Sequence, residues 1–265
     1  MKKIISTSLS VILFSFLSAH EFWLQPDKFI YERGEAITIR FNVGENFEGE
    51  NWTGDTSKIQ NLDFYFNDVN DDLQAAMGTK KGDSVQLSLL DEGTAMVTFN
   101  SKNSFIELDS AKFNAYLLED GLINAIEYRQ EHNETDSMGH EFYQRSVKTI
   151  FQVGAEFDNT FKQQTTLPLD IIPQTNPYTL KDDQSIHFKI FFQKKLLKNT
   201  LINVWHRENN KTTKEELKSD DSGEIEFPVK TSGEWMVSCV KMNRLENDPK
   251  AQWQSYWGSC TWGYE

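Results

Sequence analysis

From Ala36 to Val43 the sequence AITIRFNV places Ile37, Ile39, Phe41 and Val43 on one face and smaller or polar residues on the other. A period of two is the signature of a half-buried strand. Similar runs recur at Asp63 to Phe66, Val85 to Leu90, Met96 to Asn100 and Ser146 to Val153, between segments rich in Gly, Asn, Asp and Lys. That cadence predicts an antiparallel sandwich. One segment departs from it. From Ser110 to His132 apolar residues recur at three and four positions, which predicts a helical insertion, interrupted near Gly121 and capped at its start by the Asp109 carboxylate.

The stretch Gly154 to Thr166 has no clear period and precedes Pro168, so the domain boundary falls there, between residues 163 and 164. Beyond it, alternation returns at Ile186 to Phe192, Leu201 to His206, Glu224 to Val229 and Glu234 to Met242. Asp220, Asp221, Ser222 and Gly223 form a hairpin turn between two of these runs. About seven short strands in about a hundred residues is the size of an immunoglobulin-like sandwich. The predicted architecture is all-β: two immunoglobulin-like β-sandwich domains, 20–163 and 164–265, the first with a helical insertion near 110–132.

The chain opens with Lys2 and Lys3, an apolar run from Leu9 to Leu17, then Ser18 and Ala19. This is a signal peptide, residues 1–19, with cleavage expected between Ala19 and His20 and a periplasmic or secreted destination. The run is shorter than the roughly 20 residues of a membrane span, and no later segment approaches that length, so the mature chain is expected to be soluble. Removing 19 of 265 residues leaves 246, and losing two lysines takes the formal charge from −13 to −15. A surface this acidic repels nucleic acid and concentrates cations. Cys239 and Cys260, the only cysteines, lie in segments that both read as strands, and an oxidising compartment permits a disulfide between them.

Several segments, in order, resemble one exported bacterial family. They are HEFWLQP at 20–26, VGENFEGE at 43–50, FIELDSAKFNAYLLEDGL at 105–122 and EFYQRSVKTIFQVG at 141–154. PLDIIPQTNPYTL at 168–180, SGEWMV at 232–237 and WQSYWGSCTW at 253–262 complete the set. The family is domain-of-unknown-function family 4198, described as periplasmic components associated with nickel and cobalt uptake. The resemblance covers nearly the whole mature chain. It implies two β domains, export, an association with divalent transition metals and a membrane transporter as partner. Where relatives carry a histidine before the methionine of the penultimate strand, this chain has Lys241 before Met242.

His20 is the most informative candidate. Cleavage after Ala19 makes it the first mature residue, and its α-amine, with an ordinary pKa near 8, joins the ring Nδ1 in a six-membered chelate. Copper and nickel favour such nitrogen donors. A terminal histidine with a second histidine is also the arrangement of copper-binding sandwich proteins and of oxidative polysaccharide-cleaving enzymes, an analogy at the level of fold. Among the remaining histidines, His140 in an SMGHE loop ranks first as the partner, with Met138 and Glu141 beside it. His206, which ends a strand beside Trp205, follows, and His187 reads as a solvated strand residue. The predicted metal ligands are therefore His20, His140, Glu141 and His206, for nickel, cobalt or copper.

Arg145 and Lys148 read as ion-pair partners at the domain junction, with an anionic ligand as the alternative. Asp68 to Asp72 mimics the start of a calcium loop, but Leu73 stands where the tight-turn glycine belongs and Thr79 where the twelfth-position glutamate belongs. There is no G-x-S-x-G, no H-E-x-x-H and no phosphate-binding glycine loop. The chain reads as a metal-binding accessory protein of uptake and not as an enzyme. The alternative is a metal-free envelope module for a protein or polysaccharide, suggested by seven tryptophans, five of them at Trp205, Trp235, Trp253, Trp257 and Trp262. A copper-dependent oxidative enzyme ranks last.

Overall fold

The computed structural model describes residues 21–52, 54, 56–77 and 84–264. The signal-peptide reading and His20 lie outside the described residues. In the first half the strands are β1 (Glu21–Pro26), β2 (Ile30–Tyr31), β3 (Ala36–Glu45), β4 (Glu48–Asn51) and β5 (Ile59–Phe66). They are followed by β6 (Val69–Asp72), β7 (Ser84–Ser88), β8 (Gly93–Ser101) and β9 (Ser104–Leu108). Two helices, α1 (Ser110–Glu119) and α2 (Ile123–Glu131), lead into β10 (Gly139–Val153). In the second half come β11 (Leu169–Pro173), β12 (Ser185–Phe192), β13 (Lys195–Leu196) and β14 (Leu201–Glu208). β15 (Lys211–Lys218), β16 (Glu224–Pro228), β17 (Glu234–Arg244) and β18 (Trp253–Gly263) complete the chain.

These strands build two immunoglobulin-like sandwiches around one shared sheet. The central sheet runs β15-β14-β17-β18-β10-β8-β5-β6, crossing from the second half to the first where β18 pairs in parallel with β10. On one face lies a sheet of β1, β3, β4 and β7; on the other, a sheet of β11, β12, β13 and β16. The first core gathers Phe22, Leu24, Ile39, Phe41, Phe99, Val147 and Phe151. The second gathers Ile150, Ile171, Phe188, Ile190, Val204, Trp235 and Trp262. Strand β10 serves both cores with alternate side chains, so residues 146–153 are buried without interruption. A strand covered on both faces loses its polar alternation.

The helical insertion has the predicted capping and break. The Asp109 side chain accepts from the Lys112 amide at 2.9 Å. Gly121 adopts φ +63°, which ends α1, and an added Cβ there would lie 2.8 Å from Leu201 Cβ. The turn between the helices therefore sits directly on the start of β14. Phe113 and Leu117 of α1 pack with Val240, Met242 and Trp253, fastening the insertion to the central sheet.

The expected disulfide is not formed: Cys239 and Cys260 are both buried free thiols. The ladder places Cys239 opposite Gly258 and Cys260 opposite Val237, which makes the two cysteines diagonal neighbours. Diagonal positions are about 7–8 Å apart, beyond the roughly 4 Å between the Cβ atoms of a disulfide. Burial pushes each thiol up to about 12.

Candidate functional site

Strand β1 is held on both edges. Along one it pairs with β3, from Glu21 opposite Gly44 to Pro26 opposite Ile39. Along the other, Ser259 Oγ donates to the Phe22 carbonyl at 2.8 Å and Thr261 Oγ1 donates to the Leu24 carbonyl at 2.7 Å. Phe22, Trp23 and Leu24 are all buried, Phe22 and Leu24 in the first core and Trp23 against Phe47, Trp205 and Met236. The first described residue, Glu21, is thereby fixed over the face of the central sheet, beside β18.

Asp120 reaches the same place from the helical insertion. It follows α1, and its amide donates back to Tyr116 O at 3.1 Å. Tyr116 stacks on Trp257 with ring centroids 5.6 Å apart. Between Glu21 and Asp120 is a cavity of about 20 Å³, also lined by Phe22, Asn203, Trp257 and Ser259. That volume accommodates one water or one ion. Asn203 is only 8% exposed, and its Oδ1 has no hydrogen-bond partner. Its neighbours Ile202 and Val204 face the second core, so alternation turns Asn203 towards the cavity.

Both carboxyls titrate high. Burial raises Glu21 to about 7, helped by the negative Glu119 and opposed by its own backbone amide and by Lys214. Burial also raises Asp120 well above the ordinary carboxylate range, reinforced by Glu21, Glu119 and Glu141 and eased by Lys214. Lys214 itself is bonded to Glu216 at 2.7 Å. Among the described residues neither acid has an ion-pair partner. Two half-buried like charges without a direct ion pair favour protonation or a bound cation.

Of the sequence-predicted ligands, the three among the described residues, His140, Glu141 and His206, lie apart. His140 Nε2 lies 2.9 Å from Glu107 Oε2, its Nδ1 contacts the Gln252 side chain, and its ring stacks on Phe105. Glu141, the next residue along β10, points to the opposite face. There it is 2% exposed, accepts from Tyr116 OH at 3.2 Å and from Ser255 Oγ, and is raised to about 7 by burial. His206 Nε2 meets the Ser232 carbonyl at 3.0 Å, and its ring stacks on Trp235. The registers His206–Trp235, Trp235–Trp262 and Thr149–Thr261 put His206 level with Ile150. Ten residues of strand, about 33 Å, thus separate it from His140. No group of three or more His, Cys, Asp or Glu that could hold a metal occurs among the described residues.

Lys148 pairs with Asp170 in a buried contact, and the second Asp170 oxygen accepts from the Thr165 amide and hydroxyl. Arg145 lies 4.6 Å above the Phe22 ring, its Nη1 is buried without a partner, and burial lowers its guanidinium to about 10. A wider groove of about 620 Å³ runs along the outer face of β1. It is lined by Gln25, Asp27, Arg40, Asn42, Glu48 and Arg207.

Sequence reasoning missed Glu21, Asp120 and Asn203. Asp120 precedes the helix-breaking glycine and reads as a turn residue, and Asn203 reads as one polar position in a strand. Only the proximity of Glu21 to His20 carried any signal.

A family model described as "Domain of unknown function (DUF4198)" matches residues 17–242. No curated protein matches the chain. Among solved structures, a mutant Salmonella alpha-2-macroglobulin is similar at 13% identity, with 92% of this chain and 15% of that chain covered and a TM-score of 0.23. Escherichia coli alpha-2-macroglobulin activated by porcine elastase gives 9% identity, coverages of 92% and 20%, and a TM-score of 0.22. The N-terminal four Ig domains of a Dscam1 isoform give 8%, coverages of 90% and 51%, and 0.21. The chain thus spans at most about half the length of these structures. No helix among the described residues is long and apolar enough to cross a membrane.

Proposed function

Since the chain belongs to the DUF4198 family, we propose that it is an exported accessory protein, without enzymatic activity, that binds a divalent transition metal and assists its uptake. Nickel or cobalt follows from the family resemblance, and copper from the chemistry of an amine–imidazole chelate. The supporting observation is the meeting of Glu21 and Asp120 at one cavity, with no ion-pair partner among the described residues, at the strand end that directly follows His20. After cleavage at Ala19, His20 supplies two nitrogens one residue ahead of Glu21 in the sequence, and a membrane transporter is the recipient.

The test is calorimetric titration of the processed protein with Ni²⁺, Co²⁺ and Cu²⁺, repeated with one extra residue ahead of His20. The expected result is one ion per chain and an affinity at least tenfold weaker after extension, because the added peptide bond removes the terminal amine. Equal affinity in both forms eliminates the chelate.

The groove beside β1 favours a second reading, a metal-free module for an envelope protein or polysaccharide. Its wall carries amides, carboxylates and guanidinium groups suited to hydroxyl-rich ligands, and Arg207 crosses to Glu48 at 2.6 Å. Absence of stoichiometric metal binding together with binding of envelope polysaccharide would select it.

A further inference from the structure

We infer that Glu21, Asp120 and Asn203 form an oxygen-lined seat for a single hard divalent cation. The inference deepens the metal-binding reading above and rests on it, but it does not require His20 as a ligand.

Three observations converge. The donors arrive from three separate elements, β1, the turn after α1, and β14, and line one cavity whose volume of about 20 Å³ suits one ion. Two carboxylates balance a divalent charge, and no lysine or arginine lies within ion-pair distance of either among the described residues. The third observation is independent of charge. Asn203 lines the cavity, its side chain turned there by strand alternation, and its buried Oδ1 has no hydrogen-bond partner among the described residues. Leaving such an atom unsatisfied costs on the order of 1–3 kcal/mol, and a cation is the ligand that satisfies a carbonyl and two carboxylates together.

The chemistry of the donors selects the ion. Cys239 also borders the cavity, but its buried side chain packs in the second core, and the lining holds no imidazole and no thioether. Carboxylate and carbonyl oxygens suit magnesium, calcium and manganese, which retain water in their remaining positions. The neighbouring hydroxyls are engaged elsewhere. Ser259 Oγ is bonded to Phe22 O, and Ser238 Oγ accepts from Trp205 Nε1 at 2.9 Å. The geometry of the seat is set by backbone: β1 is fixed on both edges, and the turn carrying Asp120 is locked by Gly121 against Leu201.

Mn²⁺ is the probe, with binding read by loss of the free-ion electron paramagnetic resonance signal. It is titrated into processed protein, into protein extended by one residue ahead of His20, and into Asp120→Asn and Asn203→Leu variants. The expected result is one Mn²⁺ per chain in the first two forms and at least tenfold weaker binding in both variants, with Ca²⁺ competing. Thermal unfolding without metal confirms that each variant folds. Glu21→Gln, which relieves repulsion, is the second variant should either of them fail to fold. Absence of Mn²⁺ binding, or equal binding by the folded variants, overturns the seat. If Ni²⁺ affinity falls on extension while Asp120→Asn leaves Mn²⁺ binding unchanged, the His20 chelate stands and the seat fails. If Mn²⁺ binding survives extension and Ni²⁺ affinity is indifferent to it, the seat stands and the chelate fails.

Discussion

Lys148 and Asp170 form an ion pair with both side chains out of water, and it joins the central strand β10 to β11 of the second half. Thr165 saturates the other carboxylate oxygen through its amide at 2.8 Å and its hydroxyl at 3.0 Å. The residues on either side of the sequence boundary are thus tied by a charge contact as well as by packing. Desolvating two charges costs several kcal/mol each, and their mutual attraction offsets that only while both are present. Asp170→Asn or Lys148→Met alone is expected to lower stability by about 3–5 kcal/mol in urea unfolding. The double replacement Lys148→Met with Asp170→Leu should lose substantially less. Equal losses in the single and double variants would show that the charges do not act as a pair.

Glu141 makes stability depend on pH. Its folded-state value is raised from 4.5 to about 7 by burial, so between these limits the folded state binds more protons than the unfolded one. The contribution of Glu141 to stability therefore falls as pH rises from about 4.5 to 7 and levels off above. Glu141→Gln keeps acceptors for Tyr116 and Ser255 while removing the charge. It should raise stability at pH 7.5 by no more than about 3 kcal/mol and flatten part of the slope. Glu21 is also raised to about 7, so a residual slope remains. Unfolding midpoints from pH 4 to 8 give the comparison.

The helical insertion depends on two backbone details. Asp109→Ala removes the cap on the Lys112 amide and is expected to cost about 1 kcal/mol. Gly121→Ala forces a side chain into a left-handed turn and against Leu201, so its cost should be larger, on the order of 1–3 kcal/mol. Amide hydrogen exchange should show the added opening confined to residues 110–131 in the Gly121 variant. Global exchange with unchanged protection in the insertion would contradict this.

Cys239 and Cys260 should resist thiol reagents in the native state. Both are buried, and burial holds the thiols near 12, so almost no thiolate exists at pH 8. A chromogenic disulfide reagent should react with neither until denaturant is added, and then with both. Rapid native labelling of either cysteine would disprove the packing described.

Much of the fold was legible locally. The alternation of Ile37, Ile39 and Phe41, or of Ile186, Phe188 and Ile190, is set by backbone geometry that turns successive side chains to opposite faces. The Asp109 cap and the Gly121 break follow equally from local hydrogen bonding and backbone conformation. Periodicity states which face is apolar, yet it is silent on what covers that face. The pairing of Glu141 to Thr149 with Trp253 to Thr261, which merges the two halves into one sheet, joins segments more than a hundred residues apart. Only tertiary packing decided it. The candidate site divides in the same way: His140 and Glu141 are adjacent in sequence but face opposite sides of one strand. Glu21, Asp120 and Asn203 are distant in sequence and share a cavity, because burial and mutual repulsion act through space and leave no period along the chain.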